Sequence, residues 1–348
     1  KYLTGTESGG VLVYKKVDDV TILDKGNGTQ HRMELPIKGS RGLKIGFLAR
    51  GTGGVKSVPF NVFDARARDN TTPKTYYWVD EQWRPILYRV NLFRYNAVIE
   101  STVAPATDFR SIFFHGNRTG GKGVLYLKNF VVYRGEDRAA PTAPAGLTAK
   151  VTSKGVQLSW AAPKDNVGVA GYAVSCAVGD GPFSKIARCA LPGYVARPSK
   201  DGACRYRVLA LDFQENMSAW SDTVTVKVAT PFMPEKPSRL DQDRHGYREH
   251  IRKVHAAGAG KVIKGRVVCY GDSLTGATNY RHYVASCLGN YEVIACGYPA
   301  QRTSYGKRRA EEHMKKYNPE FCLVLFGTNN NKHPRNLPAA MDDLLAIA

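Results

Sequence analysis

A serine becomes a useful nucleophile only where its hydroxyl is lifted clear of the fold and donors for an oxyanion lie within reach. Ser273 meets the first condition on sequence alone. It follows the apolar run Val267–Tyr270, which reads as a buried strand, and Gly271, where that strand breaks. A glycine there lets the backbone turn sharply, so Ser273 emerges at the strand's carboxyl end, where open α/β sheets keep their chemistry. Its own N–H then faces a bound acyl group. Two similar joints follow in order. Glu292–Gly297 reads as a second short buried strand that runs into the loop Gly297–Thr303, and the apolar Phe321–Phe326 runs into Gly327–Asn330. A polar helical piece, Glu311–Tyr317, lies between them, which gives the βαβ rhythm of a parallel sheet.

The three joints, Gly271-Asp272-Ser273, Gly297-Tyr298-Pro299-Ala300-Gln301-Arg302-Thr303 and Gly327-Thr328-Asn329-Asn330, resemble the first three blocks of the SGNH, or GDSL, hydrolases. The resemblance implies a flavodoxin-like α/β domain over residues 238–348, present in its N-terminal part only, and a serine esterase. Ser273, preceded by Asp272, would attack an ester carbonyl. Its N–H, a main-chain N–H of the second block and the Asn329 side chain would hold the oxyanion. The family's second-block donor matches its later glycine, which here is Ala300. An alanine N–H serves equally where the backbone does not require glycine, and Gly297 is the fallback donor. Asn330 stands where the third block has Asp, which puts one supporting hydrogen bond in question. The family's base comes from an Asp-x-x-His block, and none occurs in these 348 residues. The base is therefore expected downstream of the chain, which by itself should be inactive. His333 lies near the third block but in the wrong context. No cofactor or metal is implied.

The elements ahead of this domain read differently. Residues 1–137 carry short apolar or alternating runs, among them Val11–Tyr14, Leu43–Ala49, Ile86–Phe93, Ser111–His115 and Val124–Val132, separated by glycine-bearing turns. That pattern argues an antiparallel sandwich, and the run Leu125–Tyr133 resembles the last strand of a jelly-roll carbohydrate-binding module. Tyr77, Trp78 and Trp83 are flat apolar faces of the kind that stack on pyranose rings. Arg138–Pro144 is a linker by composition. Residues 141–229 resemble a bacterial fibronectin type III domain, on Val156–Trp160, Asp165–Tyr172, Tyr206–Asp212 and Asn216–Ser221. The resemblance makes Trp160 and Tyr206 core residues and the domain a spacer in a secreted multidomain enzyme. A second proline-bearing linker, Pro231–Pro237, precedes an amphipathic helical pattern over Arg239–Ala257.

Composition sets the limits. At 348 residues, two or three domains are expected. Hydrophobic residues make up 43% and charged ones 23%, which is globular rather than disordered, and no apolar stretch approaches the roughly 18–20 residues that span a bilayer. The net charge of +20 is spread over all three segments rather than gathered on one arm, so no nucleic-acid partner is expected, and the basic surface either favours anionic glycans or simply keeps the protein soluble. Seven cysteines lack any metal-type Cys-x-x-Cys pair. Cys269, Cys296 and Cys322 fall in the buried strands, and Cys176, Cys189 and Cys204 could supply one disulfide. The resulting expectation is a secreted or cell-surface carbohydrate esterase that removes acyl, chiefly acetyl, groups from a polysaccharide. A lipase of the same family and a noncatalytic glycan-binding protein are the alternatives.

Overall fold

The computed structural model describes residues 2–23, 30–39, 42–64, 75–90, 108–115, 122–233, 263–277, 284, 292–326 and 328–330, with positions 340, 342–344 and 347. The amphipathic pattern over Arg239–Ala257 and the residue His333 lie outside them.

The first unit holds β1 (Thr6–Ser8), β2 (Val11–Leu23), β3 (Gln30–Ile37), β4 (Leu43–Thr52), β5 (Ser57–Asp64), β6 (Thr75–Trp78), β7 (Arg84–Arg89), β8 (Phe109–His115) and β9 (Val124–Arg134). They form a five-stranded sheet, β1-β2-β9-β4-β7, and a four-stranded sheet, β3-β8-β5-β6, with antiparallel pairing throughout. The alternation of β4 explains the packing: Leu43, Ile45, Phe47 and Ala49 enter the core, and Lys44, Gly46, Leu48 and Arg50 take the other face. Phe47, Phe60, Phe114 and Phe130 meet at the centre of the sandwich, all fully buried.

The second unit is a seven-stranded sandwich. A three-stranded sheet of β10 (Ala145–Thr152), β11 (Gly155–Ala161) and β14 (Gly193–Ala196) faces a four-stranded one of β12 (Val169–Val178), β13 (Ser184–Cys189), β15 (Gly202–Asp212) and β16 (Val224–Val228). Trp160 and Tyr206 are buried in its core, and Trp160 packs edge-on against Tyr172. Cys176, Cys189 and Cys204 are free thiols, so the disulfide they could supply is not formed. Burial pushes the Cys176 thiol up to about 11 and the Cys189 thiol up to about 12, which leaves both protonated and inert at neutral pH.

The two sandwiches are not loosely tethered. Val11, Leu48, Leu87, Val131 and Tyr133 on the outer face of the five-stranded sheet share one apolar cluster with Val167, Ala170, Ala190 and Phe213 of the second unit. Polar groups close the rim. Asn166 Nδ2 donates to Ser8 O (3.2 Å) and to Asp137 Oδ1 (2.9 Å), and Asn216 Nδ2 donates to Asp137 O (2.9 Å). The start of the proline-bearing connection is thereby pinned across the junction.

The third unit is a parallel sheet of β17 (Ile263–Asp272), β18 (Glu292–Tyr298) and β19 (Pro319–Leu325), in the order β18-β17-β19. Helix α1 (Ser273–Ala277) follows β17 directly, and α2 (Thr303–Tyr317) joins β18 to β19. The buried positions of α2, Thr303, Gly306, Ala310, His313 and Tyr317, recur every three or four residues as one helix face. That face covers Val268, Tyr270, Ile294 and Cys296, and Val267 and Val293 point to the other side with Val284. Asn318 ends the helix in the left-handed conformation, with its N–H bonded to Met314 O.

Candidate functional site

The three joints share the carboxyl edge of this sheet. Gly271 is level with Gly297 on β18 and with Leu325 on β19. The order β18-β17-β19 puts the chain's reversal of direction between β17 and β19, and open sheets form their ligand crevice at such a point. Ser273 stands at the end of one of these strands and Asn329 just past the end of the other.

Gly271 is required by close approach. A Cβ there would lie 2.1 Å from Thr275 Oγ1 and 2.2 Å from Leu325 O, so any side chain would push α1 or β19 away. Asp272 is fully buried, and its Oδ1 accepts the Leu274 N–H at 3.0 Å, which turns the chain into α1. It acts on the turn rather than facing solvent. Ser273 is half-buried, at the rim.

The second joint differs from expectation in one respect. Ala300 has φ +59°, the left-handed region that favours glycine, so the backbone at this position does ask for glycine. Ala300 is exposed at the edge, and Gly297 is buried within β18.

In the third joint, Asn329 Nδ2 donates to Gln301 O at 2.8 Å, which ties it to the second loop. One of its two amide hydrogens is so used, and the other is available to an oxyanion. Asn330, whose supporting bond was in question, makes two: its Oδ1 accepts the Thr303 N–H (3.2 Å) and its Nδ2 donates to Thr303 Oγ1 (3.0 Å). Thr303 Oγ1 in turn donates to Asp343 Oδ2 (2.9 Å), and Lys307 pairs with Asp343 at 3.5 Å. Sequence reasoning missed Thr303 and Asp343. The only local signal was a threonine at the first position of a helix, and its partners stand 27 and 40 residues away.

The base is the gap. The described histidines are His31 and His115 in the first sandwich and His313 on α2. His313 is fully buried; its Nδ1 bonds to Arg309 O (3.0 Å) and its Nε2 bonds to the Tyr298 hydroxyl. None of these serves Ser273. Among the described residues, no three His, Cys, Asp or Glu side chains are arranged to hold a metal, and no helix is long and apolar enough to cross a membrane.

The aromatic candidates separate. Tyr77 is 5% exposed, stacks on Phe60 at 5.9 Å and donates its hydroxyl to Leu87 O (3.4 Å), so it belongs to the core and offers no face to a sugar. Trp78 is half-buried on β6, an edge strand. Trp83 is half-buried on the outer side of the five-stranded sheet, with the Arg50 guanidinium 5.1 Å from its ring.

No family model matches the chain. Chitinase A1 of Niallia circulans is 39% identical over 97 residues, 27% of this chain, and the chain spans 13% of that relative's length. Among solved structures, an Fn3-like protein from Clostridium thermocellum is 25% identical and covers 28% of this chain and all of its own, at TM-score 0.22. The Endo-D glycoside hydrolase domain from Streptococcus pneumoniae R6 is 13% identical and covers 65% of this chain and 36% of its own, at TM-score 0.27.

Proposed function

We propose that the chain belongs to a secreted, glycan-directed serine esterase, in which Ser273 attacks an acyl ester, chiefly an acetyl group carried by a polysaccharide. The observation that supports the reading is that Ser273 and Asn329 stand at the carboxyl ends of the neighbouring strands β17 and β19, beside a Gly271 that close packing keeps free of a side chain. Attack by the hydroxyl would form a tetrahedral intermediate whose oxyanion takes the Ser273 N–H, a main-chain N–H of the second loop and the free hydrogen of the Asn329 amide. Collapse would expel the sugar hydroxyl and leave an acyl-serine for water to release. Asp272 holds the turn that aims Ser273. The glycan direction is supported by the chitinase match and by the basic sandwich ahead of the sheet.

Protein expressed from the complete reading frame should hydrolyse 4-nitrophenyl acetate. Ser273→Ala should bring the rate to background, and Asn329→Ala should lower it by roughly 10²–10³, the usual worth of one side-chain oxyanion donor. Full activity with Ser273→Ala would overturn the assignment. An inactive wild-type protein that still binds glycans would favour the noncatalytic reading, for which the lack of a histidine beside Ser273 among the described residues speaks.

A further inference from the structure

Three strands of the first sandwich, β2, β9 and β4, with Trp83 just ahead of β7, present one row of side chains on the outer face. Arg50 of β4 is directly opposite Tyr126 of β9, and Tyr126 is opposite Thr21 of β2. On the other side, the β4–β7 register continues from the pair Ala49–Arg84 to Arg50 and Trp83. The Arg50 guanidinium is 5.1 Å from the Trp83 ring and 4.6 Å from the Tyr126 ring, and the two rings are 6.5 Å apart at 63°. Lys128, one step along β9, has its ammonium 5.7 Å from Trp83. The row begins where the second sandwich stops covering this face, since Trp83 packs against the apolar cluster of the junction.

The Arg50 charge in this row is not neutralised. Among the described residues no carboxylate pairs with Arg50, and its Nε is buried without a hydrogen-bond partner. Asp80, just ahead of β7, is held by Arg84 in two bonds of 2.5 and 2.8 Å. Lys128 has Asp19 at 3.5 Å, an exposed pair that screening weakens. Two aromatic faces set at an angle with a guanidinium between them match a sugar ring that carries an anion: the rings take the C–H faces, and the planar fork takes a carboxylate.

We infer that the Trp83–Arg50–Tyr126 row binds an acidic polysaccharide built of uronic acid units, with Lys128 as its second cation. The inference rests on the glycan half of the proposed function and not on the esterase half.

The test is titration of the whole chain with polygalacturonate, beside a neutral β-glucan and a sulfated glycan. Polygalacturonate should bind, and salt should weaken it. Arg50→Gln and Trp83→Ala should each weaken binding about tenfold, while Ser273→Ala should leave it unchanged, so binding and catalysis fail separately. Should Arg50→Gln reduce the folded fraction by circular dichroism, Lys128→Gln, on a side chain 38% exposed, makes the same comparison. Equal affinity for the neutral glucan, preference for the sulfated glycan, or unchanged affinity in the folded variants would overturn the inference.

Discussion

Gly46 of the first sandwich lies under the ring of Phe213 of the second, so close that a Cβ on Gly46 would come within 2.8 Å of it. The contact fixes how near the two units can approach, because Phe213 is 4% exposed and seated in the shared cluster with Leu48 and Val131. A composition that reads as linker and spacer therefore yields a joint.

Gly46→Val tests that joint. The added methyl groups have nowhere to go while Phe213 stays in place, so the variant should lose about 1–3 kcal/mol of stability, the usual penalty of overpacking. Hydrogen exchange at Val167–Ala170 should rise in the same variant. Unchanged exchange there would mean that the units do not depend on each other.

The joint also titrates. Desolvation lifts the Asp212 carboxyl to about 6, against hydrogen bonds from Asn216 that lower it, with Asp137 and Asp165 adding repulsion. Asp165 is raised as well, by burial first. A folded-state value above the unfolded one means that the folded chain holds extra protons between the two. Stability from this source is thus complete below about pH 4 and lost as pH rises through about 6. Urea unfolding between pH 4 and 7 should fall by up to about 3 kcal/mol, and Asp212→Asn should flatten that slope. A slope that survives the substitution would assign it to another group.

Much of the third unit is legible in the sequence, because buried parallel strands announce themselves as apolar runs: Val267–Tyr270, Glu292–Gly297 and Phe321–Phe326 fall in or beside β17, β18 and β19. The first sandwich is less so. β2 runs to 13 residues, but Lys15, Lys16, Asp18 and Asp19 interrupt its apolar pattern, so only its first four residues read as strand. Tyr77 reads as a platform because alternation does not say which of two faces is the core. The junction around Phe213 leaves no local trace and the Thr303–Asn330–Asp343 set none beyond a threonine at the start of a helix, since their partners meet only in three dimensions.

Ala300 gives the plainest backbone prediction. At φ +59° an alanine is strained by roughly 1–2 kcal/mol, and glycine removes the strain while giving back about 0.4–1 kcal/mol to the unfolded chain. Ala300→Gly should therefore stabilise the protein by about 0.5–1 kcal/mol in urea titrations, and Ala300→Val should destabilise it. A glycine variant less stable than the parent would contradict the assigned conformation.

The last prediction explains why an asparagine stands at 330. The Thr303 hydroxyl has one proton and gives it to Asp343 Oδ2, so the bond it receives must come from a donor, which Asn330 Nδ2 supplies. In Asn330→Asp, a carboxylate would face that hydroxyl oxygen from one side and Asp343 from the other, with one proton for both. The loss should be about 1–3 kcal/mol, the toll of a buried acceptor left unmatched. Adding Asp343→Asn should restore most of it, because the amide at 343 then donates to Thr303, which turns its proton toward the carboxylate introduced at 330. Chemical denaturation of the two single variants and the double variant closes the cycle. Strictly additive losses would show that Thr303 does not relay between the two positions.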